Sequence, residues 1–195
     1  MSKKLKILVF PDPKLRTVAK KVTKFDKSLE KLSDNMLHTM YDANGIGLAA
    51  TQVDEHIRLV VMDLSEDRNE PMVFVNPEYK VQKEHKLVEF EEGCLSIPGF
   101  NHNIARPDNI ELKWQDLKGK IHEIKAEGML SICIQHEIDH LNGMTIYDRE
   151  MKLEPTKVEK KIGRNQIVTI KKGDAVKVLK YKKAQNLLNQ GWEIR

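Results

Sequence analysis

Residues 135–143 read Gln-His-Glu-Ile-Asp-His-Leu-Asn-Gly. His136 and His140 stand four apart, and Glu137 directly follows the first. At helical spacing, i and i+4 project from one face, so both imidazoles can grip one metal ion. Glu137 sits one step round the helix, where it can take a proton from water that the metal activates. That is the chemistry of a metallohydrolase. A catalytic site also wants a third protein ligand and an open position, and this stretch contains no third ligand.

Residue types leave two sources for it. Downstream, Asp148, Glu150 and Glu154 could supply the carboxylate of a thermolysin-like zinc endopeptidase. The metzincin pattern, a third histidine six after the second, fails because position 146 is Ile146. Upstream, Glu92-Gly93-Cys94-Leu95-Ser96 offers a soft thiolate, and Gly93 lets the backbone pass close. A free cysteine is usually a small buried hydrophobe, which is the plainer reading of Cys94 taken alone. Cys133, three before His136, reads as pocket lining rather than a ligand.

The two histidines need a helix to hold them. Met129 to Asn142 supplies one, with Gly143 as its stop. Met129, Ile132, Cys133, His136 and His140 fall on one stripe, and Leu130, Ile134, Ile138 and Leu141 on another. A helix apolar on most sides is a buried one, and imidazoles and a carboxylate inside it need partners or a metal. Asp139 lies off the metal stripe and reads as a structural salt bridge.

Earlier in the chain, residues 1–25 have no strong period, and Pro11 and Pro13 argue for an extended, surface-wrapping segment. Asp26 or Ser28 can cap a helix whose Leu29, Leu32, Met36 and Met40 recur at helical spacing and which Asn44-Gly45 ends. Gly45–Gln52 (GIGLAATQ) is small and glycine-rich. Strands are expected at 57–64, 72–81 and 86–92, and a hairpin at 109–115 and 120–126 around Asp116–Gly119. The order reads as α+β, with mixed or antiparallel strands packed around a central buried metal-binding helix. Beyond Asp148, residues 150–164 read as a charged, helix-prone stretch broken by Pro155. Strands around Lys172-Gly173-Asp174, a short helix at 182–190 and an extended end follow. Residues 1–164 are taken as one catalytic domain and 165–195 as a basic appendage.

At 195 residues, 40% hydrophobic and 32% charged, the chain suits one such domain with an appendage. No apolar run reaches the length of a membrane span, which argues against a membrane protein. The start, MSKKLKILVFPDP, lacks a signal-peptide core and reads as mature cytoplasmic sequence. Charge is uneven. Lys152–Lys183 carries 11 Lys/Arg against three acids, so this segment's +8 leaves −4 for the rest of a chain of net +4. Such a face could meet a polyanion; the plainer reading is a solvated surface.

Three stretches together resemble peptide deformylase: Gly45–Gln52 (GIGLAATQ), Glu92–Ser96 (EGCLS) and Gln135–Gly143 (QHEIDHLNG). Each looks like a family motif, and they stand in the family's order. The likeness runs over roughly residues 5 to 160, including the opening Pro-Asp-Pro-Lys-Leu-Arg stretch. The EGCLS form resembles that of the type I, bacterial and organellar branch. The resemblance implies Cys94, His136 and His140 as metal ligands and Glu137 as general base and then acid. It implies Gln52 and the Leu95 N–H as oxyanion donors, with Ile46 and Gly47 along the substrate backbone. Phe90, Glu92, Met129, Ile132 and Cys133 would surround the methionine side chain.

The same resemblance implies one divalent cation per chain, ferrous iron in the cell, with zinc or nickel in purified protein. It implies N-formylmethionyl nascent peptides as substrate, formate as product, and a monomer. Two departures stand out. Relatives often carry a basic residue shortly after the cysteine motif, where this chain has Gly99-Phe100-Asn101-His102. The tail beyond 164 does not resemble the family's basic, ribosome-engaging helix, although its charge would suit ribosomal RNA.

Overall fold

The computed structural model describes residues 2–152, 167–173, 175–188 and 192–194. It divides into two compact units, Met1–Lys152 and Leu153–Arg195.

In the first unit, helix α1 (Lys27–Asp42) begins at Asp26, whose carboxylate accepts the Ser28 and Leu29 N–H groups. Asp26 is therefore the cap, and Ser28 lies inside the helix. Asn44, at φ 55°, turns the chain out of it in the left-handed region that Asn tolerates.

Strands β1 (Gly47–Ala49), β2 (Leu59–Met62) and β3 (Met72–Val81) pair antiparallel in sequence order. After them come β4 (Leu87–Cys94) and β5 (Ile97–Pro107), a separate two-stranded sheet. Strands β6 (Asn109–Gln115) and β7 (Ile121–Glu127) return to the first sheet as a hairpin, giving the order β1-β2-β3-β6-β7. Helix α2 (Gly128–Leu141) follows, and Gly143 at φ 72° stops it. A side chain at Gly143 would run into the Arg16 backbone. Helix α3 (Ile146–Lys152) closes the unit.

The sheet separates two cores. Leu59 and Val61 of β2 pack with Leu29, Met36 and Met40 of α1; Val60 and Met62 pack with Cys133, Ile134, Ile138 and Leu141 of α2. A strand buried on both faces reads as an unbroken apolar run, as LVVM does. This is the expected α+β arrangement, with α2 at its centre.

The elements differ from expectation in four places. The strand expected at 57–64 is confined to Leu59–Met62, because Ile57 instead bridges to Lys20 of the N-terminal segment. That segment is pinned by backbone bonds Leu8 N–H to Gln52, Phe10 N–H to Ser96 and Ala19 N–H to Leu141. The glycine-rich stretch after Asn44 forms edge strand β1 and a 3-10 turn, Ala50–Val53. Strand β5 runs against its sequence, since its Pro98, Gly99, Asn101 and Asn103 are turn-formers; all four are exposed in a two-stranded sheet. Helix α3 starts four residues before the charged stretch assigned to 150–164, whose Pro155 break lies outside the described residues.

In the second unit, strands β8 (Ile167–Lys172) and β9 (Ala175–Lys180) form a hairpin. Helix α4 (Tyr181–Leu188) follows, and β10 (Glu193–Ile194) pairs with β8. Ile170 and Ala184 are its buried centre, with Leu179, Leu187 and Trp192 packed around them.

Candidate metal centre

Helix α2 carries His136, Glu137 and His140 on consecutive turns, buried against the sheet. Cys94 ends β4, where the β4–β5 register breaks between Gly93 and Cys94 so that Cys94 pairs with Ile97. The tight return aims the thiol at the helix: Cys94 Sγ lies 3.2 Å from His140 Nε2. Ligand atoms of Cys94, His136 and His140 all fall within 4.8 Å of one another, a group that could hold a metal ion.

Among the downstream acids, Asp148 instead accepts the Thr145 N–H at 2.7 Å and pairs with Arg16. The side chain of Glu150 and all of Glu154 lie outside the described residues.

A cavity of about 470 Å³ opens beside this cluster. Every site residue expected from the sequence lines it except His140, which is buried with its Nε2 3.2 Å from Cys94 Sγ. Ile46, Phe90 and Met129 are its more exposed walls, while Gln52, Ile132 and Cys133 are buried. A side chain at Gly47 would displace the Glu137 carboxylate: a Cβ would come 3.0 Å from Glu137 Cδ. Gly45 is constrained likewise, its Cβ falling 2.7 Å from the Leu95 side chain, which packs into the α1 core.

Three side chains are held in set orientations. The Ala49 N–H donates to Gln52 Oε1 at 2.8 Å, which turns the amide nitrogen the other way. Gln52 Nε2 then donates to Ser96 Oγ at 3.1 Å and lies 3.7 Å from Cys94 Sγ. Glu92 Oε2 is 2.8 Å from His136 Nδ1, which leaves the other imidazole nitrogen for the cluster. Glu137 is 5% exposed, and its Oε2 has no hydrogen-bond partner among the described residues.

The electrostatics set burial against neighbouring charges and hydrogen bonds. Burial pushes the Glu137 carboxyl up to about 7, against the pull of His136. Burial, with His136 and Arg106 nearby, pulls His140 well below the ordinary imidazole value, so it stays neutral as a ligand must. Burial would raise Glu92, but hydrogen bonds from Arg106 and His136 outweigh it and hold the carboxyl low. Burial pushes the Cys133 thiol up to about 12, which leaves it an inert wall residue.

Sequence reasoning missed Arg106, which is 2% exposed and joins Glu92 to Asp139. The available signal was period two: Arg106 falls on the same face of the strand as buried Ile104. Ser96, which accepts from the Gln52 amide, carries no signal of its own beyond the EGCLS motif. Asp139 is the structural salt bridge expected of it.

Two loops and a helix thus bring a half-buried cysteine sulfur and two imidazoles together next to a buried carboxylate, the layout of a mononuclear metallohydrolase. Residues 4–156 match the polypeptide deformylase family. The peptide deformylase of Stutzerimonas stutzeri (strain A1501) is 52% identical over 158 residues, covering 81% of this chain and 94% of that one. The crystal structure of peptide deformylase from Thermotoga maritima is similar at TM-score 0.70 and 43% identity, over 75% of this chain and 97% of that chain. A Met-Ala-Ser-bound class I type b peptide deformylase from Acinetobacter baumannii is similar at TM-score 0.69 and 31% identity, over 76% and 99%.

The chain belongs to the peptide deformylase family. It is a metal-dependent hydrolase that removes the formyl group from N-formylmethionine peptides in translation. Among the described residues, no helix is long and apolar enough to cross a membrane.

Proposed function

We propose that Cys94, His136 and His140 hold one divalent cation and that Glu137 moves the proton in hydrolysis of the formyl amide. The convergence of three donors within 4.8 Å, beside a buried carboxylate with an unpartnered oxygen, carries this reading. The donor set fits a cation: a thiolate, a neutral buried imidazole, and a second imidazole turned by Glu92. A cation bound there lowers the pKa of water and polarises the formyl carbonyl. Glu137 accepts the proton and returns it to the leaving amine, a double task suited to a carboxyl near neutral pKa. Gln52 Nε2, aimed by Ala49 and Ser96, and the Leu95 N–H donate to the formyl oxygen as charge builds on it.

Ile46 and Gly47 lie along the peptide backbone. β1 is an edge strand of its sheet, so an extended peptide can add to it, with tolerance of sequence beyond the first residue. Phe90, Glu92, Met129, Ile132 and Cys133 surround the methionine side chain. Glu92 contributes its stem and backbone, since Arg106 and His136 engage its carboxylate. A Cys/His/His set suits Fe(II) or Zn(II); we take ferrous iron as the native cation, with zinc or nickel able to replace it.

Residues 1–164 form the catalytic domain of this reading, and 165–195 an appendage by which a cytoplasmic monomer docks on ribosomal RNA. Lys171, Lys172, Lys177, Lys180, Lys182 and Lys183 are all exposed, and Asp174 is the one acid in the sequence between 167 and 188. Such a face favours phosphate backbone.

The test is formate release from formyl-Met-Ala-Ser by anaerobically prepared protein, with its metal content measured alongside. One iron per chain with turnover supports the reading. Turnover that survives complete chelation would overturn it.

A further inference from the structure

A chain of alternating charges runs from the metal centre to the protein surface. His136 Nδ1 lies 2.8 Å from Glu92 Oε2, and the same oxygen accepts from Arg106 Nη2 at 2.9 Å. Arg106 Nε pairs with the other Glu92 oxygen. Beyond it, Arg106 Nη1 donates to Asp139 Oδ2 at 2.9 Å. Arg149 completes the line, its Nε donating to that same Oδ2 at 2.8 Å and its Nη2 to Oδ1.

Glu92, Arg106 and Asp139 are buried, whereas Arg149 on α3 has its side chain 32% exposed. Arg149 is thus where this network reaches solvent. Two cations face two carboxylates, so the set is neutral only with Arg149 in place. Asp139 Oδ2 is shared between the two guanidinium groups, so the pull of Arg149 sets how firmly Asp139 holds Arg106. Arg106 in turn sets where Glu92 stands against His136.

We infer that Arg149 is a positioning residue for the metal centre, acting through Asp139, Arg106 and Glu92 on the orientation of His136. This rests on the ligand set proposed above. Without the Arg149 charge the buried set carries a net −1, and Asp139 has only Arg106 to pair with. Arg106 is drawn toward Asp139, and Glu92 is left more loosely held against the imidazole. Arg149 does not line the cavity, and Glu92 meets the peptide by its stem and backbone while the network acts on its carboxylate, so the effect falls on the centre and not on substrate affinity. A plain staple of α3 onto α2 would use the same Arg149–Asp139 pair but would leave the centre unchanged.

The experiment loads the full chain with cobalt(II) and compares the parent with Arg149→Gln, Arg149→Lys and Asp148→Asn. Gln keeps a donor for Asp139 but loses the charge; Lys keeps the charge. Asp148→Asn loosens the Arg16 tie of α3 without touching the network. Arg149→Gln is expected to shift the visible cobalt bands and to lower kcat roughly 2- to 30-fold with KM unchanged. Arg149→Lys should recover most of both changes, and Asp148→Asn should lower Tm with parental cobalt bands.

Arg149→Gln with a lowered Tm but parental bands and kcat would overturn the proposal and leave Arg149 a staple. Equal band shifts in Asp148→Asn would overturn it too, since loosening α3 would then suffice. A parent with no thiolate-to-cobalt charge-transfer band would overturn the Cys94 ligand itself, a failure distinct from the other two.

Discussion

Helix α2 brings two imidazoles and a carboxylate to the centre on one element, fixed by its own backbone and by the sheet beneath it. The β4–β5 hairpin brings Cys94 and Leu95 at the point where its register breaks, and depends on others for its place. Ser96 is tied to Phe10 of the N-terminal segment, Leu95 packs under Gly45, and Glu92 is held by Arg106. The two regions share one centre but are supported differently. Loss of the helix carboxylate Glu137 should therefore show first in chemistry, and loss of the hairpin's Cys94 or Glu92 first in metal retention.

Substitutions can break that contrast. Glu137→Ala is expected to have the largest effect on turnover. Formate release should fall by at least about 10²–10⁴ with metal content unchanged, because the lost group is a proton carrier and not a ligand. Gln52→Ala should cost about 10²–10³ in kcat, also with metal retained, as read by formate release and metal analysis on one sample. On the hairpin side, Cys94→Ala should lose the metal in dialysis that the parent survives, with activity lost in proportion. Glu92→Gln should follow at about 10–100-fold in metal affinity or activity, measured by competition with a chelating dye. Deleting 165–195 should leave turnover of a short formyl peptide unchanged while weakening salt-sensitive sedimentation with ribosomes. Loss of short-peptide turnover would show that the appendage supports the core.

The same contrast decides what could be read from the chain. His136, Glu137 and His140 are legible because a helix converts spacing of four into one face, using neighbours in sequence. Cys94 has no such local signature; it stands 42 residues before His136, and only the register break aims it. Its assignment came from the likeness of three motifs taken together, since the downstream carboxylates were equally allowed by residue type. Arg106 is hidden because β5 is hidden: exposed turn-forming residues mask the alternation of Ile104 and Arg106. β2 was plain because both faces are buried, and its ends blurred because the N-terminal segment claims Ile57.

The most direct test of the account is one paired measurement on anaerobic protein: formate released from formyl-Met-Ala-Ser and metal bound per chain, for the parent and Glu137→Ala. The account predicts one metal per chain in both and formate from the parent alone. Formate released by Glu137→Ala at the parental rate would contradict it.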